Sequence, residues 1–236
     1  MYWRLLDEKE TDAVGGLAMD EQGDYSMKTR LIIIGARALG REICNYARDV
    51  GFEIVGFLDD KIDALDGFEG YPPILGSVED WIVKEGDQFV CAVGDSRMRA
   101  RYSRIIEGKG GRFSDVVHPT AYVGPNVKMG DGCVVCPFAV VDCDLTMGRH
   151  VIVNVHSLVA HDCKLGDCVT LSPNVHLGGR TVIRREAFLG IGVSTVPGVE
   201  IGEEALIAAG SCVTRDIPER VMAAGIPALV KKTLKD

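Results

Sequence analysis

The residues with the most chemistry in this chain lie between Asn154 and Gly179. His161 is followed directly by Asp162, in the segment Asn154-Val155-His156-Ser157-Leu158-Val159-Ala160-His161-Asp162. A neutral imidazole accepts a proton near pH 7, and an adjacent carboxylate or amide can fix its tautomer. Gly178-Gly179 follows, with Gly179 eighteen residues beyond His161. A glycine offers a backbone N–H with no side chain in front of it, and such a donor polarises a carbonyl. A base and a carbonyl-polarising amide together suit acyl transfer, provided the fold brings them side by side.

The elements that must do so are legible in the spacing. From Val117 to Val213 every sixth residue is Val, Ile, Leu or Met, with Thr195 the single exception. A second series four residues after each, including Cys133, Ala139, Ser157, Cys163, Thr181 and Ala187, is mostly small or β-branched. Neither the helical period of 3.6 nor strand alternation gives a strict six. A hexapeptide repeat does. Three hexads make one triangular coil of eighteen residues, so Gly179 is expected directly beside His161, about 4.8 Å away on the next coil. The glycines that follow the axial residue, among them Gly124, Gly148, Gly166 and Gly178, are expected to permit turn geometry closed to other residues.

Residues 27–116 read as a Rossmann-like α/β domain. Leu31-Ile32-Ile33-Ile34 is a buried-strand run, Gly35 to Gly40 a glycine-bounded turn, and Arg41 to Val50 a helix. Glu53 to Leu58 and Phe89 to Val93 are further strands. A short helix is expected from Ser77, with Asp80 at the capping-box position. A basic helix is expected from Ser96 to Glu107. Strands alternating with helices imply a parallel sheet. Residues 117–213 are the repeats and 214–236 a cap and tail. Residues 1–26 hold seven acids against two bases and read as a flexible head, a docking helix, or a stretch upstream of a start at Met27.

A net charge of −8 argues against nucleic acid or an anionic membrane as the main partner. With neither a signal peptide nor a long apolar run in evidence, the expected location is cytoplasmic. The eight cysteines are read as reduced thiols: Cys133 and Cys163 fall in the inward series, and Cys133-x-x-Cys136 has no second pair to complete a zinc site.

Several motifs together resemble one family. They are Ile34-Gly35-Ala36-x-x-x-Gly40, Gly56-Phe57-Leu58-Asp59-Asp60, Ala92-Val93-Gly94-Asp95, His118-Pro119-x-Ala121, the Asn154 to Asp162 segment, and Gly225-x-Pro227-Ala228. The chain resembles the hexapeptide-repeat nucleotide-sugar acetyltransferases, the UDP-4-amino-sugar N-acetyltransferases and their sialic-acid O-acetyltransferase relatives. That resemblance implies a left-handed parallel β-helix after the α/β domain, a homotrimer, and acetyl-CoA as co-substrate with no metal. It implies His161 as general base, Asp162 as its orienting acid and Asn154 nearby in the site. Gly179 would contact the thioester carbonyl, and acetyl-CoA would lie near Ile191 and Ala209. The nucleotide sugar would use Gly35 and Arg37 near phosphate and Asp59 and Asp60 near base or ribose. Two positions depart from the family pattern: Ala38-Leu39 stands where a Gly-His is usual, and Thr170 where relatives often carry a second histidine.

Three other readings are weaker. Hexapeptide-fold carbonic anhydrases share the spacing His156-x-x-x-x-His161, but their third histidine falls here on Thr120. A nicotinamide-binding domain needs a middle glycine that the Gly35–Gly40 turn lacks. A trimeric scaffold without turnover keeps the fold and would not bind acetyl-CoA. The expected activity is N-acetylation of a nucleotide-linked amino sugar, with transfer to a sugar hydroxyl as the alternative.

Overall fold

The computed structural model describes residues 29–235 and, before them, two short antiparallel strands, β1 (Leu17–Met19) and β2 (Tyr25–Met27). The rest of the expected acidic head lies outside the described residues.

A five-stranded parallel sheet comes first. It contains β3 (Arg30–Ile34), β4 (Glu53–Leu58), β5 (Ile74–Gly76), β6 (Gln88–Cys91) and β7 (Arg112–Phe113), in the order β5-β4-β3-β6-β7. The central strand is apolar on both faces because both are covered. Leu31 and Ile33 pack with α1 (Ala38–Asp49), which buries Ile43, Cys44 and Ala47. Ile32 and Ile34 pack on the other side with Ile106 of α2 (Ser96–Gly108). The helix expected from Arg41 thus begins one turn earlier, directly after the glycine turn. The helix expected at Ser77 does not form. Ser77 Oγ accepts from the Asp80 amide at 3.0 Å and donates to the Asp80 carboxylate at 2.7 Å, but the chain makes a single turn there and moves on. A cap fixes where a helix starts, and tertiary packing propagates it; here Val78 is buried and Ile82 exposed, so the apolar positions Val78, Trp81 and Ile82 are not buried as one face.

The repeats wind as a left-handed parallel β-helix of three faces. The first face carries Val116–Val117, Val134–Val135, Ile152–Val153, Thr170–Leu171, Phe188–Leu189 and Leu206–Ile207. The second begins with Tyr122–Val123 and the third with Lys128–Met129. Each strand pairs with the one eighteen residues on, as in Val135 with Val153, Val141 with Val159 and Met147 with Leu165. The axial series and the small series together form one continuous buried core.

The glycines after the axial residue serve a different purpose from the one expected. None of them has positive φ; the left-handed residue falls two positions later, as at Asn126 (φ 58°), Cys168 (φ 56°) and Arg180 (φ 62°). What the glycines permit is close approach between coils. A Cβ on Gly166 would stand 2.6 Å from the Arg185 nitrogen one coil on.

The α/β unit docks on the first face. There the outward residues Val116, Val134 and Ile152 are buried in one cluster with Leu31, Ile43 and Phe57. Arg99 of α2 crosses this junction and is fully buried. It donates to the carbonyls of His150 (2.9 Å), Val93 (2.6 Å) and Cys168 (2.7 Å) and to Thr170 Oγ1 (2.7 Å). Ser96 Oγ completes the group at 2.9 Å from Thr170 Oγ1. Beside it, burial pulls the His150 pKa below its ordinary value. All eight cysteines are free thiols, with Cys133 and Cys163 buried as the inward series required. No described helix is long and apolar enough to cross a membrane.

Candidate active site

His161 stands at the corner where the second face turns into the third. Its Nδ1 lies 2.7 Å from Asp162 Oδ2, and both side chains are about half exposed, at 47% and 53%. The left-handed φ at Asp162 turns the carboxylate back toward the ring that precedes it. A carboxylate only accepts, so in the neutral imidazole this contact puts the ring proton on Nδ1 and the lone pair on Nε2. Nε2 points over the next coil: a Cβ on Gly179 would be 2.6 Å from it. Gly179 is therefore beside His161, as the eighteen-residue coil required, and it is buried under the imidazole rather than open to solvent. Its N–H has no protein acceptor among the described residues.

The one polar exception in the axial series belongs to this corner. Thr195 Oγ1 accepts from the Gly178 amide at 3.0 Å and lies 3.0 Å from Thr181 Oγ1, which donates to the Gly178 carbonyl at 2.6 Å. Two hydroxyls thus clamp the peptide that leads into Gly179. The signal was present as a single Thr in seventeen axial positions, and only the coil register gives it a role.

The remaining expected residues fall at other places. Asn154 ends a first-face strand, one triangle side before His161, and its Oδ1 accepts from the Val155 amide at 2.7 Å. Ile191 and Ala209 stack on successive coils at that same first corner, where Gly210 N–H donates to the Ile191 carbonyl at 2.8 Å; both are exposed. One chain does not bring Asn154, Ile191 and Ala209 to His161. Thr170 lies on the first face under α2, also away from His161.

Gly35, Arg37, Asp59 and Asp60 share one cleft of about 370 Å³ at the C-terminal ends of β3, β4 and β6. Gly35 has φ 96°, a conformation that favours glycine. A Cβ on Gly40 would collide with the Gly35 carbonyl, so α1 can approach the turn this closely only with glycine there. Arg37 is the N-cap of α1 and supplies no side-chain cap. No side chain accepts from the first amides of the helix, an arrangement that suits phosphate. Asp59 holds the turn: its two oxygens accept from the Ala36 and Lys61 amides, both at 2.9 Å. Asp60 accepts from the Tyr102 hydroxyl at 2.8 Å. Nothing in the sequence marks Tyr102, because a tyrosine on a basic helix reads as a surface residue. No group of three His, Cys, Asp or Glu among the described residues is placed to hold a metal ion.

Comparison with known proteins places the fold in a family. Residues 30–106 match the family model of the PglD N-terminal domain. The acetyltransferase domain of PglB from Neisseria gonorrhoeae FA1090 superimposes with a TM-score of 0.80 at 31% identity, covering 86% of this chain and 100% of that one. The chain belongs to the hexapeptide-repeat nucleotide-sugar acetyltransferases. Within this family, PerB from Caulobacter crescentus, solved with CoA and GDP-perosamine, also gives a TM-score of 0.80, at 30% identity over 86% of this chain and 97% of that one. GDP-perosamine N-acetyltransferase of Escherichia coli O157:H7 is 32% identical over 111 residues, 47% of this chain and 50% of that protein. The match spans about half the length of the curated relatives.

Proposed function

We propose that this chain is an acetyl-CoA-dependent N-acetyltransferase acting on a nucleotide-linked amino sugar. The observation that carries the reading is the His161–Asp162 pair lying on an amide with no protein partner at Gly179. The acceptor amine attacks the thioester carbonyl, and Nε2 of His161 takes the proton that the nitrogen loses. The Gly179 N–H donates to the oxyanion as it forms. Collapse of the tetrahedral species expels CoA as its thiolate, which recovers a proton from the imidazolium. Relatives solved with CoA and GDP-perosamine and with acetyl coenzyme A support both co-substrates.

The site requires more than one copy. The cleft sits in the α/β unit on the first face, whereas His161 stands at the corner opposite that face. Asn154, Ile191 and Ala209 occupy the corner between the first and second faces. These parts meet when the His161 corner of one copy abuts the Asn154 corner of another, a head-to-tail contact that closes into a ring. The exposed apolar residues of the repeats support this packing. Tyr122, Phe138, Ile191 and Val196 all lie on the second face or its two corners. The proposed assembly is a homotrimer.

The test is release of CoA thiol from acetyl-CoA across UDP-, GDP- and dTDP-linked amino sugars, with hydroxyl-bearing galactosides and free sialic acid for comparison. The expected result is stoichiometric thiol and N-acetyl product with a nucleotide-linked amine. Turnover confined to the hydroxyl acceptors would replace this reading with O-acetylation, and no turnover with any acceptor would remove it.

A further inference from the structure

The polar end of the cleft constrains the base of the nucleotide. Asp59 is occupied by backbone amides and Asp95 by the Met98 amide, so besides Arg37 at the glycine turn the polar side chains left in the cleft are Asp60 and Tyr102. The Tyr102 hydroxyl donates its one proton to Asp60 Oδ2. Burial first, and then this bond to Asp60, push the phenol up to about 12, so it keeps that proton. The phenol oxygen can then only accept, and so can the carboxylate. Leu58, Val78 and Met98 supply apolar wall around this all-acceptor edge.

The bases differ in what they can offer such an edge. Guanine presents N1–H and the 2-amino group side by side, two donors that match the two oxygens of a carboxylate. Uracil and thymine present one N–H between two carbonyl oxygens, which would face the acceptors. Adenine and cytosine place a ring lone pair beside their amino group. An unmatched acceptor against an acceptor loses a bond on both sides. We propose that the cleft takes a guanine nucleotide, read by Asp60 and with Tyr102 as the positioning residue. The proposal rests on the nucleotide-sugar reading of this cleft.

The test is calorimetric titration of the full-length protein with GDP, IDP, XDP, UDP and dTDP. GDP is expected to bind tightest, with IDP, which lacks the 2-amino group, UDP and dTDP each weaker by about 10–100-fold. Asp60→Asn presents one acceptor and one donor. It should lose GDP and gain XDP, whose 2-carbonyl replaces the amino group. A variant that merely fails to fold loses both and gains nothing, so the XDP arm keeps the test decisive. Tyr102→Phe should weaken GDP about 3–10-fold, the scale of one lost hydrogen bond, without gaining XDP. UDP or dTDP binding as tightly as GDP, or an Asp60→Asn variant weakened equally toward all five, would overturn the guanine assignment while leaving acetyl transfer to another nucleotide sugar standing. No diphosphate binding at all would overturn the cleft reading together with this one.

Discussion

His161→Ala is expected to lower turnover by about 10²–10⁴-fold, the range for loss of a positioned general base. The fold should be unaffected, because the side chain is about half exposed and its corner is held by the backbone and by the buried axial residue Val159. Acetyl-CoA binding should change little, since the Gly179 amide and the Ile191–Ala209 corner do not depend on the imidazole. The loss should therefore appear in kcat rather than in KM for acetyl-CoA. Asp162→Asn should cost less. An amide can still hold the ring, but it stabilises the imidazolium less well. Steady-state kinetics with a thermal melt on the same preparation check the prediction. Wild-type turnover by the alanine variant would remove His161 from the mechanism.

The second large effect concerns stability. Arg99→Met keeps most of the side chain's volume and removes its donors. The carbonyls of His150, Val93 and Cys168 would then be buried without them. Each orphaned group costs about 1–3 kcal/mol; set against the relieved desolvation of the buried guanidinium, a net loss of about 3–5 kcal/mol is expected. For a chain of this size that lowers Tm by about 6–20 °C. Arg104, on the same helix, is 69% exposed and pairs with Glu186 at 3.5 Å. Arg104→Met should change stability by no more than about 1 kcal/mol. Thermal or urea unfolding of the two variants side by side is the check, and equal melting temperatures would contradict the account. Because Val93 and Gly94 also wall the cleft proposed for the nucleotide, Arg99→Met should raise KM for the acceptor as well.

The contrast between His161 and Arg99 shows what the sequence could and could not reveal. The period of six is a local property repeated many times, so it specified the coil, the register and the place of Gly179. Arg99 is a single long-range event. Its acceptors are mainly carbonyl oxygens, and every residue has one of those, so no residue type marks the partner. The docking face was nonetheless written in the chain. Outward positions of the first face read Val116, Val134 and Ile152, whereas those of the third read Lys128, Thr146 and Lys164. Such a row of apolar outward residues is what a covered face requires. Permissive φ is glycine's commonest use, so in sequence the repeat glycines read as turn residues. Inter-coil distance is a three-dimensional quantity, and only the fold shows that clearance is what they supply. Asn154 and His161 lie seven residues apart in sequence, yet they occupy different corners. In a triangular coil that separation is a whole side of the triangle.

If cleft and base from different copies make one site, mixing two inactive copies restores it. One partner carries His161→Ala and keeps its cleft. The other keeps His161 and carries Gly40→Leu, which closes the approach of α1 to the phosphate turn. Each alone is expected to be inactive in the thiol-release assay. Refolded or co-expressed together, they should recover a measurable fraction of wild-type turnover, because some neighbours then pair an intact cleft with an intact His161. If mixed assemblies form and no activity returns, the site lies within one chain and the account is wrong.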